Sequence, residues 1–351
     1  LTCIMKNKYG KVEMSTSFSS NHNFSKGFFY VADGTFNFYD TEKKTAYQDC
    51  YASLNAGKTL GIGNYDSANI IHSNGKFYLL VGTSTSNRDH FYIVDAKTLY
   101  YENSAVVGAN LSGLTILNEQ YGLVTGDGIR RIDLKSLNNV RIKNERLLCF
   151  YNSIIYNGKV LSNDTYKDES KVKYYDVNEL IAAKEGEAPA VTELDIIQKQ
   201  KINFVLAKDG NVYTLESADN GCNIVKIKND FTLEKVFANF QPAKGPYHSS
   251  PTIGMVASET ENIIYLVSTD GAIYKYILGD SDSLKAPFIA AESGVSITAP
   301  LQLNQQSGEL YVTYTEERKD ESKIVVYSKD GKVLHTVDCG ESVPSQILFN
   351  N

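Results

Sequence analysis

Apolar residues in this chain come in short runs, often alternating with polar ones, and the runs end at Gly, Asn or Asp. SKIVVYSKDGKVLHTVDCG shows the unit: IVVY, a Lys-Asp-Gly turn, then VLHTV with alternating faces, the pattern of a β-hairpin. The same grammar recurs in FNFYDTEKKTAY, FYIVDAKTLYY, IRRIDLKSLNNV, VKYYDVNELIAA and AIYKYILGDSDSLKAPFI. The turn aspartates Asp40, Asp95, Asp133 and Asp176 lie 55, 38 and 43 residues apart. Later units centre on Asn229-Asp230, Gly279-Asp280 and Asp330-Gly331. A period of roughly 40–50 residues with several strands each predicts propeller blades. Helical periodicity is nearly absent. The exception is DVNELIAAKEGEAP, where Asp176 and Glu179 resemble a capping box and Gly186 and Pro189 act as stops.

Within the second unit, strands are expected near Ala68, Lys76, Phe91 and Leu99. Outer strand triplets are expected from near Gly27, Lys76, Tyr121, Gly158, Gly210, Asn262 and Glu309, which makes seven. Seven runs suit inner strands: SANII, GLTIL, CFYNSII, KINFVLA, PTIGMVA, TAPLQL and SQILF. The first triplet lacks an inner strand before it, and SQILF lacks a triplet after it. The predicted fold is therefore all-β: one seven-bladed β-propeller over residues 1–351, with four-stranded antiparallel blades and residues 1–20 as lead-in. Ser345–Phe349 is expected to complete the N-terminal blade, because an open first blade would expose a strand edge. The alternative donor is VEMSTSFSS, from Val12 to Ser20.

Composition agrees with this reading. The chain has 351 residues, 24 Tyr and 15 Phe against 3 Met and 7 Pro, a bias toward strands. A formal charge of −6 gives no long-range attraction to a polyanion, so no nucleic-acid partner is expected. Arg130 and Arg131 are read as solvated surface. No apolar run approaches the roughly 18 residues of a membrane span. The five cysteines form no C-x-x-C pair, which excludes a simple zinc knuckle. No signal peptide is recognisable in the sequence, which leaves the compartment open on residue chemistry alone. A monomer is expected.

Catalytic motifs are missing. The five histidines never occur as H-x-x-x-H, and there is no G-x-S-x-G elbow. LGIGNYD and TGDGIRR contain G-x-G without the third glycine or a following helix, so turns explain them. Asp280 and Asp282 have calcium-loop spacing, but Ala291 stands where a bidentate Glu is required. No catalytic residue, metal ligand or cofactor is assigned, and a non-enzymatic role is expected. Function then falls to the loops that enter each inner strand, GIGNYDS, VGANLSG, KGPYHSS and ESGVSI, and to those joining second and third strands. The candidate ligand-binding residues on them are Asn64, Tyr65, Asp66, Arg88, Asp89, Tyr166, Tyr247, His248 and Arg318. Aromatic groups beside donors and acceptors suit a polar organic ligand.

The C-terminal stretch IYKYILGDSDSLKAPFI, GELYVTY and IVVYSKDGKVLHTVDCGESVPSQILFN resembles the closing blade of the DUF5074 proteins, YncE-like seven-bladed surface propellers of Bacteroidetes. Tyr327, Asp330, Gly331, Lys332, Gly340, Pro344 and Ile347–Phe349 match that family's ending; FFYVADGTFNFYD and SLNAGKTLGIGNYDSANIIHSNGKFYLLV are similar to its first two blades, where Asn55, Leu60, Gly61 and Ser67 fit. The likeness is weaker between about Gly113 and Lys235, where the usual G-x-x-P before inner strands is missing. The resemblance implies an exported, non-enzymatic protein of the cell surface or outer membrane, often a lipoprotein. It also implies a TonB-dependent outer-membrane transporter as partner, and in one branch the capture of cobalamin. Cys3, preceded by Thr2, is the candidate lipid-anchor cysteine, with an ordinary N-terminal cysteine as the plainer reading. The leading expectation is capture of a corrinoid or another small nutrient. The alternatives are a protein- or glycan-binding platform and, third, a propeller lactonase or lyase.

Overall fold

The computed structural model describes residues 23–55, 60, 67–82, 88–109, 111–126, 128–143, 153–163, 170–187, 189–198, 203–243, 254–316 and 321–350, and the backbone of a hairpin, Thr2–Asn7 with Gly10–Ser15. Seven antiparallel sheets follow one another as the blades of a propeller. Blade 2 shows the plan: inner strand Ser67–Ser73, then Lys76–Gly82, Asp89–Asp95 and outer strand Tyr101–Gly108. Second strands begin at Gly27, Lys76, Tyr121, Lys159, Val212, Ile263 and Leu310, close to the expected positions.

The ring closes as the sequence predicts. Pro344–Leu348 is the inner strand of blade 1, pairing Phe29 with Leu348, Tyr30 with Ile347 and Val31 with Gln346. Val12–Ser15, part of the alternative donor, pairs instead within the N-terminal hairpin. Two blades depart from the plan. In blade 7 the inner strand is split into Val295–Ile297 and Gln302–Leu303, with Pro300 between them, which has no N–H for the ladder. In blade 6 the outer strand is reduced to a bridge between Ile273 and Ile289. The rest of that edge is closed locally, since Ile277 donates its N–H to Ser283 Oγ and accepts from the N–H of Asp280.

Seven apolar clusters fill the junctions between neighbouring blades. The blade 1–2 junction is the most aromatic. Phe29, Phe36, Phe38 and Phe77 meet there with ring centroids 5.1–5.5 Å apart, mostly tilted or edge-on, as ring quadrupoles prefer. Carboxamides tie the junctions. Asn203 donates to Met255 O at 2.6 Å and accepts from Met255 N at 3.1 Å, joining blades 5 and 6. Gln305 donates to Ala257 O at 2.9 Å, joining 6 and 7, and Gln346 to Ile70 O at 2.7 Å, joining 1 and 2.

The repeated aspartates close the turns from third to fourth strand. Asp40, Asp95 and Asp133 each accept the backbone N–H three residues on, from Lys43, Thr98 and Ser136, at 2.7–2.8 Å. Asp230 does the same for Thr232 two residues on, at 3.0 Å. In the last unit the oxygen comes from Ser328, which accepts from Asp330 and Lys332 N–H groups. The N–H of Ser136, first among its partners, holds the Asp133 carboxyl below the usual carboxylate range.

The expected helix forms over Val177–Ala182, with Asp176 Oδ1 accepting from Asn178 and Glu179 N–H groups. It stops ahead of Gly186. Glu179 reaches forward to Ala190 N at 3.2 Å rather than back to the cap. A second short helix, Cys50–Leu54, went unpredicted; Cys50 and Tyr51 bury it in the blade 1–2 cluster. The reading of Arg131 as solvated surface is corrected. It lies over the Tyr121 ring at 5.2 Å, and its Nη1 donates to the carbonyls of Leu180, Ile181 and Ala183 at the C-terminal end of that helix. Arg130 is half-buried with its Nε inside the protein, so it too is more than surface.

Two outcomes are expected. Deleting residues 344–350 removes the inner strand of blade 1 and buried Ile347 and Leu348, and cooperative thermal unfolding should be lost or fall by more than ten degrees, roughly, as read by circular dichroism. Arg131→Ala should destabilise by about 1–3 kcal/mol in urea unfolding, where a solvated arginine would give nothing.

Candidate functional site

The loops before inner strands and the turns between second and third strands share one face of the ring, here the loop face. The turns closed by the repeated aspartates lie on the opposite, turn face. On the loop face a cleft of about 620 Å³ opens across blade 6 toward blade 7. One wall is the turn Ser268–Gly271 after the second strand of blade 6; the other is the stretch Ala291–Ile297 leading into blade 7. The second wall contains ESGVSI, one of the loops singled out from the sequence.

Backbone bonding fixes the floor. Ala243 N–H donates to Val267 O and Thr269 N–H to Gln241 O, both at 2.9 Å, so the strand preceding blade 6 is pinned beside the turn. Val267 and Ile297 are buried beneath. Asp270 Oδ1 accepts from the N–H of Ala272 at 3.1 Å and from the hydroxyl of Ser268. The Ser268 hydroxyl, first, and that N–H hold the Asp270 carboxyl below its ordinary range. Gly271 follows at φ 83°, which a residue with a side chain rarely adopts. Across the cleft, Glu292 faces the Lys323 ammonium at 3.8 Å. The lining thus presents carboxylates, serine and threonine hydroxyls and glycine backbone over a small apolar floor. That arrangement can bind by hydrogen bonding. Among the described residues, no three His, Cys, Asp or Glu side chains converge as a metal site.

A second concavity of about 450 Å³ lies on the turn face between blades 5 and 6. Three of its polar groups engage one another. Lys226 Nζ meets Asp209 Oδ2 at 2.8 Å, and the Tyr213 hydroxyl donates to the same oxygen at 2.8 Å.

Of the residues expected from sequence to bind ligand, Arg88 is exposed on the loop face at the start of the third strand of blade 2. Asp89, next to it, is only 3% exposed. Its Oδ2 accepts the N–H of Leu111, the first residue of blade 3, so this carboxylate joins two blades. Neither lines the cleft. Asn64, Tyr65, Asp66, Tyr166, Tyr247, His248 and Arg318 lie outside the described residues. Ser268, Asp270 and Glu292 were not singled out from sequence. Their one signal was the ESGVSI loop, because the Thr-Asp-Gly turn reads like any other Asp-Gly turn in the chain.

Residues 24–350 match the profile of the domain of unknown function DUF5074. The chain belongs to that family. No match was found among curated proteins. The DUF5074 chain is similar to the crystal structure of a quinonprotein alcohol dehydrogenase-like protein from Bacteroides thetaiotaomicron VPI-5482, at 99% identity and TM-score 0.91, covering 100% of this chain and 84% of that one. TolB from Acinetobacter baumannii is similar at 11% identity and TM-score 0.46, over 91% of this chain and 80% of that one. Virginiamycin B lyase from Staphylococcus aureus is similar at 12% identity and TM-score 0.45, over 80% and 84%. The last two likenesses bear on no functional point.

One substitution in blade 2 tests the junction bond. Asp89→Ala should cost about 1–3 kcal/mol in urea unfolding, because it orphans the Leu111 N–H.

Proposed function

We propose that this DUF5074 propeller is a non-enzymatic capture protein of the cell surface, holding a small polar ligand on its loop face at the cleft across blades 6 and 7. The observation that carries the reading is the cleft itself. Its volume of about 620 Å³ falls within the roughly 300–1,000 Å³ of small-molecule sites, and hydrogen-bonding groups converge on it from two separate loops. In the turn-face concavity Asp209, Tyr213 and Lys226 are already spent on one another.

The resemblance of both chain ends to surface propellers that include cobalamin-capturing relatives makes a corrinoid the first ligand to test. It also supports export to the outer membrane, lipid anchoring and delivery to a TonB-dependent transporter. The name of the Bacteroides thetaiotaomicron protein suggests alcohol oxidation instead, and one preparation tests both readings. Calorimetric titration with cyanocobalamin should give saturable, one-site binding with a sub-micromolar Kd and a raised Tm. Absence of heat and of any Tm shift would overturn the corrinoid assignment. Turnover of alcohols with an artificial electron acceptor and added quinone cofactor would overturn the non-enzymatic reading.

A further inference from the structure

The middle and the rim of each blade are paired differently. Among the described residues, every pairing of a second with a third strand runs in unbroken register. Every pairing of a third with a fourth strand longer than three residues is broken by a bulge, in blades 2, 3, 4, 5 and 7. The other two blades have almost no outer strand. Blade 1 pairs only Phe38–Asp40 with Thr45–Tyr47, and blade 6 keeps a single bridge. There the third strand, Ile273–Ile277, is the edge. Ile273 is bonded to Ile289, the Ile277 N–H and C=O are taken by Ser283 and Asp280, and Lys275 stands between them.

Packing accounts for some of the bulges and not for others. Near the loop face the extra residue turns inward, as Val107 and Ile142 do in the cores of the 2–3 and 3–4 junctions. Near the turn face it gains no burial: Glu102 is exposed, and Leu334 is 45% exposed. A long, flat outer strand offers a row of N–H and C=O groups to any strand that comes alongside, and bulges, charges and shortness each spoil that template. The long outer strands also carry charges that are not buried: Glu102, Arg141, Glu193, Glu234 and Asp338. We infer that the outer edges are built to refuse strand addition by a second copy of this chain. The ring is thereby kept monomeric, and its two faces are left as the surfaces for partners.

Blade 2 gives the sharpest test, because Glu102 is the one charged residue of the strand Tyr101–Gly108. Deleting Glu102 joins the Ile93–Asn103 and Val94–Tyr101 pairs into one continuous ladder. Glu102→Ala removes the same ion pair with Lys76 and keeps the bulge. In sedimentation velocity on the full chain, wild type and Glu102→Ala should stay monomeric from about 1 µM to about 1 mM, while the deletion dimerises with a Kd of about 100 µM or tighter. Adding Asn103→Lys to the deletion should loosen that dimer roughly tenfold or more, since a charge returns to the edge. Should circular dichroism show the deletion unfolded, Lys275→Thr with Ser283→Ala strips the blade 6 edge instead and should dimerise in the same assay. A folded edge variant that stays monomeric overturns the inference, as does a wild-type dimer. So does a Glu102→Ala dimer as tight as that of the deletion, or a deletion dimer indifferent to Asn103→Lys.

Discussion

Everything in this molecule depends on the fact that a blade has two apolar faces. Phe28 and Phe29 are adjacent in one strand, so their side chains leave the sheet on opposite sides. Phe28 packs with Tyr311 and Ile324 toward blade 7, whereas Phe29 packs with Phe77 and Leu79 toward blade 2. A sheet built this way cannot shelter both faces by itself. Each blade completes its neighbour's core, and the requirement passes around the ring until it returns to the first blade. The C-terminal strand answers it there. Ile347 joins the blade 7–1 cluster and Leu348 the blade 1–2 cluster, so two consecutive residues of one short strand serve both junctions.

That constraint explains where polar side chains could be spared. Junction cores leave the strand ends as the places for hydrogen-bonding chemistry, and the two ends are treated differently. On the turn face, aspartates are consumed by turn N–H groups and lysines by carboxylates, a pattern that stabilises local geometry and leaves little to recognise a ligand. On the loop face, the shortened edge of blade 6 lets the chain from Ala291 to Ile297 run across the blade top, forming the second wall of the cleft. The shortened blade thus makes room for this concavity.

The fold was legible because its repeat is local. Period-two apolar runs and Asp-containing turns are written within about a dozen residues, and they located every second strand to within a residue or two. Inner strands were harder. TAPLQL reads as one apolar run, yet Pro300 breaks its ladder and leaves Gln302–Leu303 as the paired remnant. The outer strand of blade 6 failed for a similar reason. Pro287 precedes Phe288 in that stretch, and Ile289 alone makes the bridge. Arg131 was misread because its partners are carbonyls some fifty residues away in sequence, beyond any local pattern. The helix Cys50–Leu54 was missed because one and a half turns carry no periodicity, and its N-cap, Asp49, resembles every other turn aspartate.

The candidate site was legible only as an address. Topology alone says which loops gather on one face, and ESGVSI was among them. Which polar residue on that face recognises a ligand depends on what else its side chain touches. Asp89, Asp133 and Asp270 are chemically the same group, and each accepts a backbone N–H. Asp89 spends its acceptor at a blade junction where it is almost fully buried, and Asp133 spends its own inside a turn. Asp270 does so at the wall of an open cleft, in company with Ser268 and opposite Glu292. Whether such a carboxylate becomes a strut, a turn brace or part of a cleft wall is thus set by position in the ring. A single sequence reports the residue type and conceals the position until the strands are closed into a circle.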